Sequence, residues 1–268
     1  MGQYWKFVNI DKRQDTGHLG KMGEFFFSGE STTLMYLLAL PAVPLKNATS
    51  DLARGAQPAG SWAGDRIICL GDYADSWPKG KVLATDFQPL EAPEENNVEQ
   101  GGKTSKDADD LKSPSDFTDQ CRTLSRVSYG EGKAIAYPLD RVWVLRNLTK
   151  KIYVRSNGVP TASGNGSLSY DQPEGFAGYP GLGNILVANI GWSDDPSVSM
   201  CYDGNLVNGK WAGDRIDVRL FEDIEEEISA EGWADDTRKQ AKRLYDIWLE
   251  DGDGRGEFPE EPDTHGFE

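Results

Sequence analysis

The sequence predicts an α+β, predominantly β fold: two related β-rich units with pseudo-twofold character, plus a C-terminal helix. Three observations carry that expectation. Trp62-Ala63-Gly64-Asp65-Arg66-Ile67 returns as Trp211-Ala212-Gly213-Asp214-Arg215-Ile216, and six identical residues including Trp mark an internal repeat. Upstream of each hexapeptide, Trp5, Phe7, Asn9 and Lys12 match Trp143, Leu145, Asn147 and Lys150 in order and spacing. Near the C-terminus, Ala241, Leu244, Tyr245 and Trp248 fall at i, i+3, i+4 and i+7, a single helical stripe.

In the first unit, residues 3–10 read as a strand, whose alternation puts Trp5, Phe7 and Asn9 on one face. A turn at Asp11-Lys12 follows, then a strand over 24–27 and an apolar helix over 32–40. Ser31 is placed to cap that helix and Pro41 to stop it. The strand 66–70 closes the unit. In the second unit a hairpin spans 142–155 around Asn147-Leu148-Thr149-Lys150, a strand covers 184–190, a turn 193–196, and the strand 215–221 closes it. Ile67 to Leu70 are apolar on both faces, whereas Ile216, Asp217, Val218, Arg219 and Leu220 alternate. The second closing strand is therefore expected to keep one wet face. For the terminal helix, Asp235 or Asp236 would cap the start and Gly252 end it.

Charge divides the chain further. The overall −16 resolves into net +1 for residues 1–85, −6 for 86–118, +1 for 119–220 and −12 for 221–268. The repeat bodies are near neutral, which implies no cationic surface for a phosphate backbone and no nucleic-acid partner. The resulting organisation is a first unit over 1–88, an acidic flexible linker over 89–118, a second unit over 119–221, an acidic helical segment over 222–252 and a disordered tail over 253–268. The tail is a candidate contact for a protein partner. No apolar run approaches the roughly 20 residues of a membrane span, so no membrane partner is expected. Three scattered cysteines and no signal-like start point to a cytoplasmic protein.

The start Met1-Gly2-Gln3-Tyr4-Trp5-Lys6, the segment 62–73 ending Gly71-Asp72-Tyr73, the segment 143–155 and the second hexapeptide resemble a group of uncharacterised fungal proteins. The N-terminal part is also similar to short bacterial proteins. The resemblance covers both repeat bodies; it implies a fungal-type intracellular protein and brings no activity, cofactor or catalytic residue.

The chemistry-bearing residues are few. There are two histidines, and His265 falls in the tail, which leaves His18 for any Ser-His-Asp or Cys-His arrangement. The cysteines lack zinc-ligand spacing, and Gly178-Tyr179-Pro180-Gly181-Leu182-Gly183 has Leu186 where a dinucleotide fingerprint needs its third glycine. No metal site and no cofactor are expected. Asp72 and Asp75, with His18, are weak candidates for catalysis, joined in the second unit by Asp194, Asp195 and Asp203. The duplicated motif suggests a ligand surface made of Trp62, Asp65, Arg66, Trp211, Asp214 and Arg215, since aromatic faces beside hydrogen-bonding groups suit sugars. The sequence thus predicts a cytoplasmic protein binding a glycan or other small molecule at an aromatic-lined site. The alternative is a carboxylate-based hydrolase, lyase or isomerase.

Overall fold

The computed structural model describes residues 2–26, 30–40, 60–87, 113–124, 140–162, 168–170, 178–195, 206–250 and 257–260. In chain order its elements are strands β1 (Trp5–Asn9) and β2 (Gln14–Asp15), helices α1 (Met22–Phe25) and α2 (Glu30–Leu38), strands β3 (Ala39–Leu40) and β4 (Asp65–Gly71), helix α3 (Pro114–Thr118) and strand β5 (Arg122–Thr123). There follow β6 (Trp143–Asn147), β7 (Ile152–Arg155), a small hairpin of β8 (Thr161–Ala162) and β9 (Leu168–Ser169), α4 (Leu182–Ile190), β10 (Gly191–Trp192), β11 (Asp214–Leu220), α5 (Glu225–Glu231), β12 (Ala234–Asp235) and α6 (Thr237–Glu250). The fold is mixed, as expected: one ten-stranded sheet runs β12-β7-β6-β11-β4-β1-β2-β5, with β10 added to β4 and β3 to β11.

The sheet has approximate twofold symmetry about its centre. The two hexapeptide strands pair antiparallel, with Arg66 opposite Arg215 and Asp65 opposite Ile216. Outward from there, β4–β1–β2–β5 on one side repeats β11–β6–β7–β12 on the other. The registers agree: Ile68 faces Val8 as Asp217 faces Arg146, and Gln14 faces Arg122 as Ile152 faces Ala234. Even the strained turn residues correspond, since Arg13 and Lys151 hold φ of 50° and 51°.

The halves are interlocked. The short strand after each central helix crosses to the other unit: β3 pairs with β11, and β10 with β4. The units therefore share one core. Trp5, Trp62, Trp143 and Trp211 are all within 2% of full burial, and they pack with Phe7, Leu145, Ile67 and Ile216 beneath α2 and α4. α2 and α4 touch closely, because a Cβ on Gly183 would stand 2.6 Å from the Ser31 carbonyl oxygen. The stripe Ala241, Leu244, Tyr245 and Trp248 of α6 is buried as predicted, and α6 lies on α4 and β7.

Several expectations are corrected. Residues 184–190 are helix α4, not a strand. All nine of its residues are buried, so an apolar run without a polar face carries no periodicity to identify it. Residues 22–25 form α1, where Met22 and Phe25 point inward one turn apart and the Glu24 side chain accepts from the Lys21 N–H. The second closing strand has no wet face over its middle: Asp217 is buried against Arg146, and α5 lays Ile224 and Ile228 on Val144. The end of the acidic linker is structured, since Ser113 caps α3 and Phe117 joins a second apolar layer with Val8, Ile68 and Phe87. The register places β5 in the first half of the sheet. In the tail, the Phe258 ring stacks edge-on against Tyr245 at 5.4 Å. Most of the linker, Gly252 and the rest of the tail lie outside the described residues. Among the described residues no helix is long and apolar enough to cross a membrane.

Candidate functional site

Each repeat builds the same bracket between its first turn and its hexapeptide. The Asn9 side-chain oxygen accepts from the Lys12 N–H at 2.8 Å while its amide donates to Asp65 at 2.8 Å. Asn147 does the same for Lys150 at 3.0 Å and Asp214 at 2.8 Å. The motif glycines then join the units: Gly64 N–H donates to the Ile216 carbonyl and Gly213 N–H to that of Ile67. Both glycines hold positive φ, +82° and +76°, a conformation that costs any other residue about 1–2 kcal/mol. This is why Trp-Ala-Gly-Asp-Arg-Ile recurs intact. It is the hinge by which the two units meet.

Strand alternation places Arg66 and Arg215 on the face away from α2 and α4, side by side across the pseudo-twofold. Beside them opens a groove of about 420 Å³ lined by Arg66, Lys81, Asp86, Thr149 and Arg215 with Gly80, Leu83 and Gly213. The two arginines differ in their surroundings. Arg66 forks onto Asp86 at 2.6 and 2.9 Å, reaches Asp11 at 2.7 Å and donates to the Lys81 carbonyl. Hydrogen bonds to Asp86 and Asp11 outweigh its partial burial and raise its pKa. Partial burial opposes ionisation of Asp11 and Asp86 as well, yet Arg66 prevails and holds both below the ordinary carboxylate value. Arg215 is half-exposed and, among the described residues, uses only Nη1, which donates to Asp11 at 2.9 Å and to the Gly64 carbonyl at 3.0 Å.

Two residues make the difference: Asp86, from a loop that only the first repeat has, and the turn residue at Asp11 or Thr149. Asp11 accepts from the Arg66 N–H, and Thr149 occupies the same place for the Arg215 N–H. The second repeat therefore supplies no carboxylate of its own to Arg215, which shares Asp11 with Arg66. Behind the groove, the fully buried Asp214 is contacted by Lys81 and approached by Lys150 at 3.7 Å.

The predicted site residues divide accordingly. Arg66 and Arg215 line the groove together. Asp65 and Asp214 anchor the turn asparagines. Trp62 and Trp211 are core residues, and the Trp62 indole N–H donates to Gln14 at 2.8 Å, so the groove wall is charged where an aromatic lining was expected. His18 is exposed and lies edge-on to Tyr4, 6.0 Å between ring centres. Asp72 is an exposed cap on the Tyr4 N–H. Asp75 is exposed too, and its N–H and the Ser76 hydroxyl are held by Asp194; desolvation works to raise the Asp194 pKa, and these bonds together outweigh that and lower it. These carboxylates do not converge on the groove. Asp203 lies outside the described residues. Cys69 is sealed in the core, and burial pushes the Cys121 thiol up to about 12. Among the described residues no three His, Cys, Asp or Glu side chains are grouped to hold a metal ion.

Sequence reasoning missed Lys81, Asp86, Asp11 and Thr149. The last two had a signal, as they occupy the same position of the aligned turns. Comparison of the chain with protein-family models, with curated proteins and with solved structures found no match.

Proposed function

We propose that this is a cytoplasmic ligand-binding protein whose site is the groove where the two units meet, and that its ligand is a small polar molecule such as a sugar derivative. One observation carries the reading: the twin arginines of the duplicated motif, one from each repeat, stand together on the wall of a groove large enough for a small molecule. The lining supports a ligand rich in oxygen atoms, because charged and hydroxyl side chains dominate it. Free, unpaired thiols at Cys69 and Cys121 support a reducing compartment.

The test is a thermal-shift screen of monosaccharides, sugar acids and sugar phosphates, followed by backbone amide NMR on the full chain. A ligand bound as proposed moves the amides of Gly80, Thr149 and Gly213. Stabilising ligands whose shifts map elsewhere, or no stabilising ligand in the whole panel, would overturn it.

A further inference from the structure

The groove holds hydrogen-bond donors that no protein acceptor uses among the described residues. The carboxylate that lines it and the two beside it are each held by cations: Asp86 receives Arg66 twice and the Leu83 N–H, Asp11 receives both arginines and the Arg66 N–H, and Asp214 receives Asn147 and Lys81. Asp11 and Asp86 are held ionised by these partners, so neither has a proton to donate. The donors are another matter. A guanidinium carries five N–H groups. Arg215 directs only its Nη1 at protein oxygens, which leaves the Nε and Nη2 edge without a partner among the described residues. Thr149 accepts through its oxygen from the Arg215 N–H and keeps its own proton to give. Lys81 keeps two of its three N–H groups after reaching Asp214.

Resting on the reading of the groove as the ligand site, we infer that the ligand is an anion, received by the open edge of Arg215 with the Thr149 hydroxyl and Lys81 beside it. The fork geometry of guanidinium suits the paired oxygens of a carboxylate or a phosphate ester. Three lining cations, with Lys150 and Arg13 nearby, outnumber the three carboxylates they face, so the site favours an anion. Arg66, saturated by two carboxylates, positions this arrangement and contributes no free donor.

The experiment titrates full-length protein with glucose, glucuronate, glucose 6-phosphate and inorganic phosphate, following the Arg215 Nε–H and Gly213 amide resonances. The charged sugars are expected to shift both, to bind at least tenfold more tightly than glucose and to weaken as salt rises. Arg215→Gln should abolish the effect. Thr149→Asp tests it without removing the arginine: the new carboxylate copies Asp11, closes on Arg215 and lowers affinity at least tenfold in a protein that stays folded by circular dichroism. Lys239→Gln, on the exposed face of α6, should change nothing. Equal binding of glucose, or binding that survives both Arg215→Gln and Thr149→Asp, would overturn the anion assignment while leaving the groove as a site. Absence of any groove shift with every probe would overturn both.

Discussion

The two halves of the sheet solve one backbone problem with opposite chemistry. In the first half, Val8 and Ile68 face each other and are sealed by Phe87, Phe117 and Trp77. In the second, the same two positions hold Arg146 and Asp217, joined at 2.6 and 2.8 Å and 4% exposed, with Glu227 and the Trp233 ring closing over the guanidinium. The motif arginines show the same divergence, Arg66 saturated and Arg215 open. The two halves share what holds the backbone in place and differ in what the outer face presents. The conserved pieces are Trp, Asn, Gly and Asp inside the bracket. The chemistry lies in the positions that differ.

The largest effects test what is shared. Trp62→Ala and Trp211→Ala should each cost about 4 kcal/mol, because both indoles are enclosed in the core and their removal leaves a large cavity. Urea unfolding would read this, and a much smaller loss for either would mean that the halves do not share one core. Next comes the pair that differs. Asp217→Ala strands a buried guanidinium and should cost about 3 kcal/mol, since the half-exposed Glu227 and the Trp233 ring are the partners left among the described residues. The double change Arg146→Val with Asp217→Ile copies the first half and should return to within about 1 kcal/mol of the parent. A double variant as unstable as the single would show that the equivalence of register is not an equivalence of packing.

The repeat glycines sharpen the comparison at smaller scale. Gly64→Ala should cost about 1 kcal/mol, for backbone strain alone, as its nearest neighbour is Leu148 Cδ1 at 4.0 Å. Gly213→Ala should cost about 2 kcal/mol, since its Cβ would also press on Lys81 Cβ at 2.8 Å. It should weaken ligand binding as well, by displacing Lys81. Equal costs measured by thermal unfolding would contradict the asymmetry of the groove.

Much of this was legible in the chain. The repeated Trp and Asn located β1 and β6, and side-chain alternation put each Trp and Asn on one face, while the pairing registers came from the structure. The C-terminal helix declared itself by its stripe. α4 did not, for a helix buried on every side has no polar face to reveal its period. The crossing of β3 and β10 was hidden as well, two-residue strands being too short to carry a pattern. The ion pair had a signal that went unread: aligned on the motif, Val8 and Ile68 become Arg146 and Asp217, opposite charges at two positions that must touch. Lys81 and Asp86 had none, since they belong to a loop with no counterpart in the aligned segments.

The smallest effect is the pH dependence of the Arg66 cluster. Asp11 and Asp86 have folded-state pKa values below their ordinary ones, held there by Arg66 against partial desolvation. Groups depressed on folding stabilise the folded state fully above their unfolded pKa of about 4, and that contribution is lost as pH falls through the lowered folded values. Acid should therefore weaken the protein progressively below about pH 5. Asp86→Asn should lower stability at neutral pH and make the acid decline shallower, because one of the two carboxylates no longer takes up a proton on unfolding. The change is modest, both groups being in partial contact with solvent. The same substitution makes Arg66 resemble Arg215, leaving it with Asp11 and a weaker amide partner. If an unsaturated arginine is what recruits an anion, Asp86→Asn should bind glucose 6-phosphate more tightly than the parent. An unchanged affinity, with the shallower acid decline observed, would place recognition in the second repeat alone.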